Sequence, residues 1–191
     1  MLIFIGGAAR TGKGILTRRL LAEHNLPYLS LDVLKMGLAR GMPHCAVDPD
    51  AGGVVVAQGL WPLVREMCRN LLMEGVDYVF EGEILPESVA ALRQEYPERI
   101  AGCFLGYSSI APEQKLLEVR THGGHPNDWP QEYSDDALLA VIKREIAFSQ
   151  YLLAECTLHQ FPYFDTSDRF LPTLDAVVAY VRGQNAKHIH Y

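Results

Sequence analysis

Leu2-Ile3-Phe4-Ile5-Gly6-Gly7-Ala8-Ala9-Arg10-Thr11-Gly12-Lys13-Gly14-Ile15-Leu16 is the stretch on which the fold turns. A strand-sized apolar run leads into glycine, Gly7 to Lys13 match the pattern GxxxxGK, and an amphipathic segment follows. That order, strand then glycine loop then helix, suits a phosphate-binding loop. The glycines let backbone N–H groups converge on an anion, the helix N-terminus adds its partial positive charge, and Lys13 reaches the β- and γ-phosphates. Gly7, Ala8, Ala9, Arg10, Thr11, Gly12, Lys13, Gly14 and Ile15 are the expected nucleotide contacts. The Walker A pattern ordinarily continues with Ser or Thr, whose hydroxyl binds magnesium. Here Gly14 and Ile15 follow, so the loop lacks that ligand.

Four more short apolar runs occur downstream: PYLSL (27–31), DYVF (77–80), AGCFLGY (101–107) and PYFD (162–165). Helix-periodic segments separate them, at about 13–23, 58–73, after Pro86, from about Pro112, at 135–155 and at 171–181. In the first of these, Ile15, Leu16, Leu20 and Leu21 are assigned to one face and Thr17, Arg18 and Arg19 to the other. Strands alternating with helices predict a three-layer α/β fold of the P-loop NTPase kind, a five-stranded parallel sheet with helices on both faces. The run ends, at Gly6, Asp32, Glu81, Tyr107 and Asp165, are where a ligand is expected, because open α/β sheets bind beyond the carboxyl ends of their strands. Residues 41–54 and 121–134 are rich in Gly, Pro, Asn and Asp and read as mobile loops. Residues 1–185 are expected to form a single domain with a lid-like insertion at about 120–134, followed by a frayed tail at 186–191.

The chain has 191 residues, 49% of them hydrophobic and 21% charged, with a formal charge of −6. That is the balance of a soluble globular enzyme. The acidic charge argues against a general nucleic-acid binder, which needs clustered Lys and Arg. Apolar runs stop well short of the ~20 residues a membrane span requires. Leu2 to Ile5 enter the glycine loop without the basic region or cleavage site of a signal peptide, so the expected compartment is the cytoplasm. Cys45, Cys68, Cys103 and Cys156 show no paired spacing, which points to neither zinc nor a disulfide framework. Oligomeric state is not legible.

Asp32, in Tyr28-Leu29-Ser30-Leu31-Asp32, is the candidate general base. An aspartate at that strand end accepts the proton of a substrate hydroxyl and positions it for in-line attack on the γ-phosphoryl group. The alternative is an N-cap for the helix that follows. On the GK loop, on Asp32 about twenty residues later and on the strand-end acids, the chain resembles small-molecule kinases around adenylate kinase, polynucleotide kinase and shikimate kinase, and above all chloramphenicol phosphotransferase. The resemblance covers most of the chain in order of elements. It implies ATP as donor, Mg²⁺ as cofactor, a small-molecule acceptor and Asp32 as base. It also places Glu81 at the acidic position ending the Walker B strand, where it would hold magnesium through water. Glu83 is a candidate for hydrogen bonding an acceptor hydroxyl.

Kinases of this kind carry a lid cation that covers the phosphates and excludes water. Lys115, Arg120, Lys143 and Arg144 flank the 121–134 loop, and Arg120, at the end of LLEVR, is the leading candidate for a catalytic role. The alternative is a solvated helical face. His125 and Asn127 are assigned to the lid, and a metal role for His122 and His125 is rejected for want of further ligands. Asp165 and Ser167, in FDTSD, border a nucleotide pocket or cap the last helix, the second being preferred. A phosphate-bearing acceptor would need arginines, for which Arg40 and Arg65 are available; Arg40 is carried forward as a substrate contact. No NKxD sequence is present, which favours ATP over GTP. The competing reading is a nucleotide-binding switch or degenerate kinase without turnover, argued from the missing loop hydroxyl.

Overall fold

A computed structural model of the chain describes residues 1–45, 47–123 and 128–188, with the backbone alone for 186–188. Five strands, β1 (Leu2–Gly7), β2 (Tyr28–Ser30), β3 (Tyr78–Gly82), β4 (Ile100–Gly106) and β5 (Tyr163–Asp165), form one parallel sheet in the order β2-β3-β1-β4-β5. Strand β1 lies in the middle, its Leu2 opposite Tyr78 on one side and Ile100 on the other. After β1 the chain crosses to the β2–β3 half and then returns to β4. The carboxyl end of β1 is therefore the topological switch point, where a ligand crevice opens.

Strand β1 reads as a continuous apolar run because both of its faces are covered. Leu2 and Phe4 face a core shared with Phe80, Phe104, Leu60, Val64 and Leu152. Ile3 and Ile5 face the opposite core, with Leu16, Leu20, Val79, Leu105 and Leu174. Each such fully buried side chain contributes about 1.5–3 kcal/mol relative to exposure. The first core is roofed by α3 (Gly53–Glu74), α4 (Pro86–Glu95), α5 (Pro112–Thr121) and α6 (Asp135–His159), the second by α1 (Lys13–His24) and α7 (Phe170–His188), while α2 (Leu31–Gly41) follows β2. This is the three-layer α/β architecture expected. Among the described residues, no helix is long and apolar enough to cross a membrane.

Local expectations were displaced in four places. Strand β2 stops at Ser30 and α2 starts at Leu31, so Asp32 occupies the first helical turn; it neither ends the strand nor caps the helix. Helix α3 begins at Gly53, inside the expected 41–54 loop, because Gly53 is there for packing: a Cβ would come within 2.7 Å of the Phe148 ring on α6. On α1 the buried set is Lys13, Leu16, Thr17 and Leu20, while Ile15 and Leu21 are exposed. Thr17 enters the core by donating its hydroxyl proton to the Lys13 carbonyl, which satisfies the one polar group a core would penalise. Helix α7 continues through His188 instead of ending near Val181.

Candidate nucleotide and acceptor site

The loop after β1 folds as its glycines require. At Gly7 a Cβ would stand 2.4 Å from the Leu105 carbonyl oxygen, and at Gly6 the same distance from the Phe104 ring. Gly12 sits at φ 88°, in the left-handed region, with Phe170 2.7 Å from where a Cβ would be. Arg10 also adopts positive φ, 62°, an uncommon state for a residue with a Cβ. Its guanidinium pairs with Asp128 at 2.6 Å. The Thr11 hydroxyl donates to the Ala8 carbonyl, and the Lys13 ammonium, almost wholly buried, donates to the carbonyls of Gly7 at 3.0 Å and Ala8 at 2.7 Å. Gly14 is not forced by space, since the nearest atom to an added Cβ is a terminal nitrogen of Arg18 at 3.9 Å.

Beyond this loop opens a cleft of about 740 Å³. Its floor includes Ala9, Arg10, Gly12, Lys13, Gly14 and Ile15, and Asp32 and Glu81 face the same space. Lys115, Glu118, Val119 and His122 of the α5 region also line it, with Trp129 and with Thr166, Ser167, Asp168, Phe170 and Leu171. Asp165 does not cap α7. Its carboxylate accepts the Ser108 backbone and hydroxyl protons and the Ser167 backbone proton, tying the loop after β4 to the loop after β5. Burial works to raise its pKa, but those hydrogen bonds win and hold it below the usual range.

The Glu81 side chain is 6% exposed, borders the cleft and, among the described residues, makes no hydrogen bond or ion pair. A carboxylate that borders a cleft without a protein partner is open to water or a cation there. Carboxylate and water oxygens are what magnesium prefers, so Glu81 fits the metal that the loop's missing hydroxyl cannot hold.

Beside Asp32 the structure brings together a group the sequence did not single out. Lys35, one turn along α2 from Asp32, pairs with Asp32 at 2.9 Å and with Glu83 at 3.1 Å. Partial desolvation beside the cleft tends to raise the pKa of Asp32, whose side chain is otherwise exposed, but the ammonium groups of Lys35 and Lys13 outweigh it and hold the carboxyl below the ordinary aspartate range. Glu83 moves the other way. Its burial, with the charges of Asp32 and Glu145, overcomes Lys35 and raises its pKa. For Lys35, burial is offset by its two carboxylate partners and the pKa rises.

Glu145 was not legible either. It projects from the middle of α6, 4% exposed, and accepts the Ala9 backbone N–H at 2.8 Å, placing a carboxylate against the phosphate loop itself. Its partner lies 136 residues away in sequence, so no local pattern signals the contact.

Arg120, Arg40 and Arg65 lie apart from the cleft. The Arg120 guanidinium donates to the carbonyls of Pro130 and Tyr133 at 2.7 Å and to Asp135, where it fastens the end of α5 to the start of α6. Arg40 is exposed near the end of α2, and Arg65 pairs with Glu95 on the surface. His125 and Asn127 lie outside the described residues.

Solved structures share this architecture. A protein of Chloroflexus aurantiacus provisionally described as a kinase superposes with a TM-score of 0.57 at 18% identity, covering 97% of this chain and 96% of its own. Shikimate kinase from Bacteroides thetaiotaomicron gives 0.56 at 14% identity, over 96% of this chain and 97% of that one. A gluconokinase from Sinorhizobium meliloti gives 0.50 at 16%, over 95% of each. At such identities the likeness is one of fold alone. No protein-family model matches the sequence, and no curated protein matches it.

Proposed function

We propose that this chain is an ATP-dependent phosphotransferase acting on a hydroxyl group of a small molecule, in the manner of the adenylate kinase and chloramphenicol phosphotransferase group. The observation that carries the reading is the convergence of Lys13, Glu81 and Asp32 on one cleft at the carboxyl end of β1. Residues 7–15 bind the phosphates, with Lys13 moving from its own loop carbonyls to the β- and γ-phosphates. Glu81 would hold Mg²⁺ through water, and the ion would supply charge neutralisation at the transferring group. Asp32, kept ionised by Lys35, takes the acceptor hydroxyl proton as the acceptor oxygen bonds to the γ-phosphorus and the bond to the β-phosphate oxygen breaks, leaving ADP. Glu83 contacts the acceptor, whereas Arg40, exposed near the end of α2 and apart from the cleft, is left out of this reading. Arg120 reaches the phosphates only if its bonds to Pro130, Tyr133 and Asp135 open, so its catalytic role requires lid rearrangement. A cytoplasmic setting, with no nucleic-acid or membrane partner, belongs to the same proposal.

The absence of a hydroxyl at position 14 favours a second reading, a nucleotide-binding switch without transfer. Calorimetric titration with ATP and magnesium tests the shared premise. Lys13→Ala should weaken binding severely because it removes the cation facing the phosphates, and equal affinity in wild type and variant would remove the basis of both readings.

A further inference from the structure

With Arg120 fastened at the lid base and Arg10 held by Asp128, the buried ammonium that faces the cleft from across the phosphate loop is that of Lys115. It projects from the first turn of α5, is 3% exposed, and sits 4.4 Å above the Tyr107 ring. Its nearest carboxylate is Glu118 on the same helix, at 3.5 Å, and that side chain is one-third exposed. The other charged groups acting on it are Arg10 of the loop, which opposes its charge, and Asp165 at the end of β5, which favours it. One long contact and one aromatic face compensate poorly for taking an ammonium out of water. Consistent with that, burial lowers its pKa against the pull of Glu118. An apolar residue of similar length would fill the same place on Tyr107 at less cost. A lysine there makes physical sense if an anion enters the cleft it lines.

We propose that Lys115 is a phosphate-binding residue of the nucleotide cleft, an under-compensated buried cation that the nucleotide's polyphosphate completes. This rests on the ATP reading of the same cleft. It assigns to a fixed residue at the root of the lid the phosphate contact expected of Arg120.

The test compares wild type, Lys115→Met and Lys115→Arg, measuring the Tm of each free protein and its Kd for ATP by calorimetry in magnesium buffer. Methionine keeps the stem and a favourable sulfur contact with Tyr107, so its Tm should equal or exceed that of wild type. Its ATP affinity should fall about 10- to 100-fold, as for loss of a hydrogen bond to a charged group, and arginine should restore part of it. A structural lysine would give the reverse, a lowered Tm with ATP affinity within about twofold of wild type at temperatures where the variant is folded; either of those two results overturns the assignment. If wild type itself fails to bind ATP, the nucleotide reading falls and Lys115 falls with it, an outcome distinct from a wild type that binds and a methionine variant that binds equally.

Discussion

Replacing Asp32 by Asn should separate chemistry from binding and stability. The carboxylate lies in the first turn of α2, its side chain 65% exposed, with one ion pair to Lys35 at 2.9 Å. Only the Asp32 side of that pair is exposed, Lys35 being buried, but Lys35 keeps Glu83 as a partner when Asp32 is neutralised, so the loss should be about 1 kcal/mol. For a domain of this size 1 kcal/mol moves Tm by about 2–4 °C, so Tm should shift by no more than that. ATP affinity should hold or rise slightly, because a negative charge near Lys13 is removed. Phosphoryl transfer, followed in a single turnover with an acceptor supplied by a metabolite screen, should fall by about 10²–10⁴-fold, the range general-base catalysis contributes. The pH profile adds a second check. Asp32 must be ionised to act, and its pKa is held below the ordinary aspartate value of 3.8. Wild-type transfer should therefore show no acid limb from this group between pH 8 and 5. An acid limb above pH 5 would implicate Glu83, whose pKa is raised, and unimpaired transfer by the Asn variant would refute the general-base assignment outright.

Glu145→Gln keeps an oxygen for the Ala9 N–H while removing a buried negative charge from beside the loop proposed to receive the triphosphate; ATP should bind several-fold tighter by calorimetry, and weaker binding would show that the carboxylate supports the loop instead of opposing the ligand. Gly14→Ser places a hydroxyl where the loop has room for one, so magnesium should strengthen ATP binding more in the variant than in wild type; the same titration with and without the metal reads the difference. Asp165→Ala removes the acceptor that joins the loops after β4 and β5, and chemical denaturation should show a loss of about 1–3 kcal/mol. Because the folded-state pKa of Asp165 is lowered, its contribution should be full above its unfolded pKa and disappear as pH falls through the folded value.

The architecture was legible because it is written in local signals. Apolar runs of strand length and the GxxxxGK loop survive any detail of packing, and the sheet and its crevice follow from their order. Site details were less legible where they depend on contacts distant in sequence. Asp32 moved from a strand end into a helix because β2, an edge strand paired only with β3, holds just three residues. Lys35 is a helical step from Asp32 and could have been found once α2 was extended back to Leu31. Glu145 gave no cue at all, lying in a long mixed helix and meeting its partner across the fold. The glycines misled in one place: Gly52 and Gly53 read as loop composition, yet Gly53 is the residue that lets α3 approach Phe148. Arg120 shows the converse: a cation beside a glycine-rich loop reads as a phosphate ligand, and its guanidinium is bonded here to Pro130, Tyr133 and Asp135, contacts no local pattern signals.

Incubating the protein with γ-labelled ATP, magnesium and a library of hydroxyl-bearing metabolites, and tracing the label by mass spectrometry, tests the central claim most directly. Expected is label on one small acceptor in step with ADP release, abolished in Lys13→Ala. ATP bound at the loop with no label transferred to any member of the library would contradict the kinase and leave a nucleotide switch.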